Sequence, residues 1–239
     1  DVLPLSWLPQ LSEQTMAELY LVRHGQASFG AANYDQLSER GVQQSVWLGE
    51  YFAQRNLSFD RVICGTLRRH EQTVEAILRG MGRPDAQCEQ HAGLNEYDFQ
   101  GLFAALGDDH PELTRMATGS MRDHYRALKH VLQLWAEDKI RGPVPETWAQ
   151  FQQRVADARA AIQRGGGQRV LAVSSGGPIA VTAQQVLAAP APSAIALNLQ
   201  VRNCSISQYF FNADAFQLAT FNGIPHLDHA ERHDFQTYG

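Results

Sequence analysis

Cysteine is scarce in this chain, with three among 239 residues. Cys64, Cys88 and Cys204 are scattered, odd in number and without a C-x-x-C spacing. That pattern argues against a disulfide framework and against a structural zinc site, and a reducing cytoplasm is the simplest compartment for it. Cys64 and Cys204 sit in apolar runs and read as buried fillers rather than nucleophiles. Long hydrophobic runs are also missing, and none approaches a membrane span. Residues 1–15 hold Leu, Trp and Pro but no basic n-region and no long apolar core, so they do not read as a signal peptide. The step Met16-Ala17-Glu18 ahead of the first apolar run marks 1–16 as an extension outside a domain at 17–239. Basic charge is in short supply as well: the net charge of -5 speaks against nucleic acid as a main partner. No internal repeat or low-complexity segment is present.

What remains is 44% hydrophobic and 19% charged, enough for one large α/β domain with a full core. Apolar runs at 19–22, 61–64 and 169–174 predict buried strands, with a further strand at 86–91 and two closing strands at 205–211 and 216–221. Between them lie helical patterns. One follows a cap at Ser38 and carries Val42, Val46, Leu48, Tyr51 and Phe52, and a second covers 67–78. A third covers 111–139, with Met116, Tyr125, Leu128, Val131, Leu132 and Trp135 as candidate core contacts. A fourth covers 147–164 and ends at three successive glycines. The alternation predicts a three-layer αβα fold around a mostly parallel sheet, with a helical insertion at about 103–141.

The stretch LYLVRHGQAS from Leu19 ends a buried strand at a cation, an imidazole and a glycine. A phosphomonoester repels anionic nucleophiles, so a neutral imidazole at His24 can attack phosphorus where a carboxylate would be opposed. Arg23 would clamp equatorial oxygens with its planar fork, and Gly25 would let the backbone approach the phosphate. Three further pieces fall at or near strand ends, where ligands gather in open α/β sheets. GTLRRHEQT, from Gly65, offers Arg69 in the first turn of a helix. LNEYDFQG, from Leu94, offers Glu96 beside apolar and aromatic neighbours that would raise its pKa and suit it to protonate a leaving alkoxide. VSSGG, from Val173, offers the hydroxyls of Ser174 and Ser175 and the N–H groups of Gly176 and Gly177 for an anion. Ser28 is a further candidate for contact with the ligand, or a cap for the following turn.

In this order the four pieces resemble the histidine phosphatase superfamily, also called phosphoglycerate mutase-like, from about residue 17 to residue 221. The resemblance implies that His24 is the phosphorylated histidine, with Arg23 beside it on the phosphate. It implies that GTLRRHEQT corresponds to a motif close to SxLxRAxQT through Leu67, Arg69, Gln72 and Thr73. It also implies that Glu96 is the proton donor of an L-x-E element, and NCSIS from Asn203 resembles the family's penultimate strand. One departure stands out. The family's VSHGG turn carries a second histidine, and here Ser175 takes its place. A hydroxyl still donates to a phosphate oxygen but adds no positive charge, a loss worth on the order of 3 kcal/mol of transition-state stabilisation.

His70, next to Arg69, and His226, in the tail FNGIPHLDHAERH, are candidates to compensate. The same tail spaces His226, His229 and His233 so that a helix would align them, but phosphoryl transfer through histidine needs no metal and none is expected. The reading is therefore a cofactor-free phosphomonoester phosphatase acting on a small phosphorylated substrate, with no nucleic-acid or membrane partner. A catalytically weakened phosphate-binding or regulatory protein of the same fold is the alternative, and a phosphomutase a third possibility.

Overall fold

The computed structural model describes residues 16–28 and 35–238. The extension expected over 1–16 therefore lies outside the described residues except for Met16. Strand β1 (Ala17–Arg23) is the organising element. Its alternating side chains enter two different cores, Leu19 and Leu21 on one face and Tyr20 and Val22 on the other, as a strand covered on both sides requires. The remaining strands are β2 (Arg61–Cys64), β3 (Glu89–Gln90), β4 (Arg169–Ser174), β5 (Ile206–Phe211) and β6 (Phe216–Gly223). They form one sheet in the order β3-β2-β4-β1-β5-β6. β1, β2, β3 and β4 pair in parallel, whereas β5 runs antiparallel to β1 and to β6.

Register decides where the loops emerge. Arg23 pairs with Ser174 and Cys64 with Val173, so β1, β4 and β2 end in one row. The turns RHG, SSGG and GTLRRH thus leave the sheet side by side from distant parts of the chain. The helices are α1 (Glu39–Gln54), α2 (Arg68–Gly80), α3 (Phe99–Ala105), α4 (Pro111–Ala117), α5 (Met121–Ala136), α6 (Trp148–Arg164), α7 (Gly176–Val186) and α8 (Ala191–Asn198). Leu48 and Phe52 of α1 and Val74 and Ile77 of α2 pack on Tyr20, Val22, Val62 and Val173. Ala158 and Ile162 of α6 and Ile179 of α7 cover Leu19, Leu21, Ile63 and Ala172 on the opposite face. The result is the expected three-layer αβα arrangement. Helices α3 to α5 add a third core beyond the sheet, where Leu102, Leu113, Val131 and Trp135 meet Phe151, Val155 and Ile195.

Local signals account for most helix ends. Ser38 accepts from Gly41 N–H at 3.1 Å and starts α1, and Thr147 and Gln150 form a reciprocal capping box on α6. α6 stops before Gly166 and Gly167, whose φ values of 79° and 89° lie in the left-handed region. Two expectations need correction. The single helix over 111–139 is two helices, because Ser120 accepts from Asp123 N–H at 3.2 Å and starts α5 afresh after Gly119. The strand over 86–91 shrinks to the two exposed residues of β3, paired only with Ile63 and Cys64. Of the core contacts expected in this region, Met116, Tyr125 and Leu128 are only half-buried. No helix among the described residues is long and apolar enough to cross a membrane.

α1 and α2 touch backbone to backbone. A Cβ on Gly49 would lie 2.1 Å from the Ile77 carbonyl oxygen, and one on Gly80 2.3 Å from that of Val46. Since α2 presents Arg69, this crossing helps set the site. Gly49→Ala should therefore lower stability by roughly 1–3 kcal/mol, the cost of overpacking. Thermal denaturation checks it, and an unchanged melting temperature would contradict the packing described.

Candidate active site

The turn after β1 is held from three directions. His24 N–H donates to Ser174 O at 2.9 Å, continuing the β1–β4 pairing, and the Asn203 side-chain amide donates to His24 O at 3.1 Å. From α2, Thr73 Oγ1 accepts Gly25 N–H at 3.1 Å, and Gln72 Oε1 accepts Leu37 N–H at 2.9 Å. The Gln-Thr pair thus ties the loop to the helix that carries Arg69. Gly25 is required for a reason other than the expected one: its Cβ would lie 2.4 Å from Gly41 O and 2.9 Å from Ser45 Oγ. The missing side chain admits the first turn of α1.

The ring of His24 is oriented without ambiguity. Its Nδ1 lies 2.7 Å from the carbonyl of Gly25, and a carbonyl can only accept, so Nδ1 carries the proton. Nε2 is left with a lone pair, towards which Arg69 Nε donates at 3.3 Å. Burial, reinforced by Arg69, Arg23 and His70, holds the His24 pKa well below the usual 6.5, so the ring is neutral. Arg69 is itself positioned by Asp35, whose carboxylate pairs with its Nη1 at 2.8 Å and accepts from Arg68 N–H at 2.9 Å at the start of α2. Arg23 donates to the carbonyls of Val201 and Tyr238, which ties the end of β1 to the C-terminal segment.

Glu96 arrives on a loop that the sequence reading left unsupported. Arg154 of α6, paired with Glu146 at 2.7 Å, donates to the carbonyls of Gly93 (3.2 Å), Asn95 (2.6 Å) and Glu96 (3.4 Å). Ser174 Oγ donates to Leu94 O at 2.6 Å. The Glu96 carboxylate then accepts the N–H of Gly177 at 3.1 and 3.2 Å, capping α7. A Cβ on Gly177 would lie 2.2 Å from Glu96 Oε1, so glycine is needed there for close approach. Burial raises the Glu96 pKa above 4.5 against the opposing pull of the Gly177 N–H, Arg69 and Arg23.

Arg23, His24, Arg69 and Glu96 all line one cleft of about 1010 Å³. Asp35 lines it too, with Tyr97, Phe99, Met121, His124 and Tyr125 on the side of α3 and α5. Thr237 and Tyr238, which no local pattern flagged, border it from the C-terminal segment. The other expected contacts do not line the cleft themselves. Ser175 is fully buried, makes no capping bond to α7 with its own side chain and places its Oγ 2.7 Å from His70 Nε2. Gly176 is buried, and a Cβ on it would meet Asn198 Oδ1 at 2.6 Å. Ser28 is half-buried, pairs through N–H with Gln36 O at 2.8 Å and does not line the cleft. His226 is buried beside Tyr51, with ring centroids 6.5 Å apart, and also does not line it. His229 and His233 are exposed while His226 is buried, and the helical turn there begins only at Ala230, so the three imidazoles share no face.

An unprotonated imidazole nitrogen, two guanidinium groups and a desolvated carboxyl lining one cleft at the ends of parallel strands define an α/β protein with a pocket suited to an anion. The model of the histidine phosphatase superfamily (branch 1) matches residues 19–223, and the chain belongs to that superfamily. A 2,3-bisphosphoglycerate-dependent phosphoglycerate mutase of Bartonella bacilliformis is 32% identical over 97 residues, which are 38% of this chain and 47% of that protein. The chain spans about half the length of the curated relatives it matches. Among solved structures, phosphoserine phosphatase of Entamoeba histolytica in complex with 3-phosphoglyceric acid aligns with a TM-score of 0.63 at 19% identity, covering 88% of this chain and 98% of that one. A putative alpha-ribazole-5'-P phosphatase of Escherichia coli aligns with a TM-score of 0.61 at 22% identity, covering 87% and 97%. These likenesses show the shared fold.

Three buried imidazoles link stability to pH. His24 and His70 have pKa values well below 6.5, and that of His226 is pushed down to about 3, all chiefly by burial. They stay neutral in the folded chain but take up protons when it unfolds below about 6.5. Their stabilising contribution is therefore complete above that pH and lost as pH falls, by up to about 1.4 kcal/mol per pH unit for each. Glu96 has the opposite sign, losing its contribution as pH rises from 4.5, but it is one group against three. Urea denaturation at about pH 7.5 and about pH 5.5 should show a marked loss at the lower pH, reduced in His226→Asn by the share of one imidazole. Equal stability at both would contradict burial of neutral rings.

Proposed function

We propose that the chain is a phosphomonoester phosphatase that works through a phosphohistidine on His24 and needs no metal or other cofactor. The observation that carries this reading is the His24 ring, protonated at Nδ1 by its bond to Gly25 O and presenting a lone pair at Nε2 beside Arg69. In the first step Nε2 forms a bond to phosphorus and the ester P–O bond breaks. Arg23 and Arg69 neutralise the phosphoryl oxygens while Glu96 gives its proton to the leaving alkoxide. In the second step the Glu96 carboxylate takes a proton from water, the water oxygen bonds to phosphorus, and the N–P bond breaks to release phosphate. Burial around Glu96 supports the protonated form that the first step needs.

Hydrolysis is favoured over mutase chemistry by the charge distribution in the cleft. A mutase substrate carries a second anionic group, yet among the described residues lining the cleft the only arginines or lysines are Arg23 and Arg69. Segments 1–15 and 29–34 contain no Lys or Arg that could add one. The α3 and α5 side of the cleft is lined by Phe99, Met121, Tyr125 and Leu128, with Gln100 and His124 as its polar members. Such a wall suits an uncharged, apolar or aromatic leaving group and repels a carboxylate or a second phosphate.

Steady-state hydrolysis of p-nitrophenyl phosphate and of a simple alkyl phosphate tests the reading. The wild type should turn over both, and His24→Ala neither. Glu96→Gln should lower kcat on the alkyl ester by about 10²–10⁴-fold but far less on the nitrophenyl ester, whose leaving group departs without a proton. A His24→Ala variant that keeps the wild-type rate would refute the proposal. Negligible rates for both forms, with inorganic phosphate still bound, would favour the phosphate-binding reading.

A further inference from the structure

At position 175 the turn after β4 departs from the family pattern, and the structure puts an imidazole next to it from another element. His70, in the first turn of α2, is fully buried with Nε2 2.7 Å from Ser175 Oγ. Its ring centroid lies 5.6 Å from that of His24, at an interplanar angle of 37°. No other side chain captures the hydroxyl: Ser175 stands at the N-cap of α7 but makes no capping bond there. The rest of the surroundings is shaped for the ring. A Cβ on Gly65 would lie 2.2 Å from His70 Nδ1 and 2.8 Å from its Cε1, so any side chain at 65 would evict the imidazole. In the family's SxLxRAxQT motif the positions corresponding to 65 and 70 are Ser and Ala. Three differences are thus coupled in space: loss of a side chain at 65, gain of a ring at 70, and loss of a ring at 175.

We propose that His70 is a positioning residue of the phosphate site: its Nε2–H donates to Ser175 Oγ and turns the Ser175 hydroxyl proton towards the phosphoryl group carried by His24. The pair delivers the hydrogen bond that a histidine at 175 would otherwise make. This inference rests on the phosphatase reading, because it assigns the pair to the same reacting phosphoryl group. It also explains the cost of burying a ring whose Nδ1 finds no hydrogen-bond partner among the described residues. In the tautomer proposed, what stays unpaired is a lone pair rather than an N–H. Two buried histidines side by side, unpaired with any carboxylate, have no use as packing alone that Leu or Met would not serve more cheaply.

Relocating the imidazole tests the claim. His70→Ala and Ser175→Ala should each lower kcat for p-nitrophenyl phosphate by on the order of 10- to 100-fold, and the double variant should fall no further, as expected of two groups acting as one unit. Ser175→His alone should bring no gain, since His70 fills the space. Combined with His70→Ala, however, it should restore kcat to within about threefold of wild type, because the new ring enters the volume vacated by the old one. A merely structural His70 would leave that combination as slow as His70→Ala. Recovery failing in a variant that melts cooperatively, or an unchanged kcat in both single alanine variants, would overturn the proposal. Should His70→Ala not fold, Ser175→Ala, a far smaller change, carries the same expectation. Orthovanadate affinity, measured by calorimetry on the same variants, separates the two failures. No turnover in the wild type would refute the phosphatase reading, whereas vanadate binding weakened in His70→Ala and regained with Ser175→His would still support the His70–Ser175 pair. Vanadate affinity indifferent to these changes would reject it.

Discussion

The hydrogen bond from His24 Nδ1 to the carbonyl of the very next residue is the constraint on which the site depends. It spends one ring nitrogen on the backbone and so dictates that the other meets the cleft as a lone pair. Everything else keeps that arrangement rigid. Ser174, Asn203 and Thr73 hold the backbone on either side of the ring, and the close approach of Gly25 to Gly41 leaves the turn no room to relax. The positive surroundings act in the same sense. A neutral imidazole between two guanidinium groups in a buried place would be expensive to protonate, so the form able to attack phosphorus is the form the fold stabilises. A phosphoryl group entering the cleft would meet guanidinium groups already held in place, Arg69 by Asp35 and Arg23 by the carbonyls of Val201 and Tyr238.

Much of the fold was legible because the informative signals are local. The continuous apolar run of β1, the cap at Ser38, the box at Thr147 and the glycines after α6 each act within a few residues. The break between α4 and α5 was also locally encoded, by Gly119 and Ser120, and went unread because the apolar spacing continues across it. The expected strand over 86–91 was overextended, since only Glu89 and Gln90 pair, with Ile63 and Cys64. Residues 23, 24, 69 and 96 could be nominated for one site because each falls in a short motif at or near a strand end. Their supports could not. Asp35 reaches Arg69 across 34 positions, Arg154 reaches the carbonyl of Asn95 across 59, and Ser175 meets His70 across 105, distances that no periodicity encodes. The tail was the least readable part: His226 turned inward against Tyr51, while Thr237 and Tyr238 came to the cleft instead.

The cleft is electrically lopsided. Its arginines are Arg23 and Arg69, and its α3 and α5 side is mostly aromatic and apolar. This polarity matters because the fold itself is shared by proteins described as mutases and as phosphatases, so fold alone does not select between them. Two of the half-buried residues that line this wall, Tyr125 and Leu128, belong to α5, where the helical pattern had marked them as core. Their incomplete burial is what leaves an apolar surface available to a ligand.

Trapping the covalent intermediate is the most direct test of this account. Acid-sensitive phosphoenzyme formed from a radiolabelled monoester, quenched in alkali and mapped by mass spectrometry and phosphorus NMR, should carry its phosphoryl group on Nε2 of His24, the nitrogen not bonded to the Gly25 carbonyl. Turnover without any phosphohistidine, or phosphorylation at Nδ1 of that ring or at another residue, would contradict it.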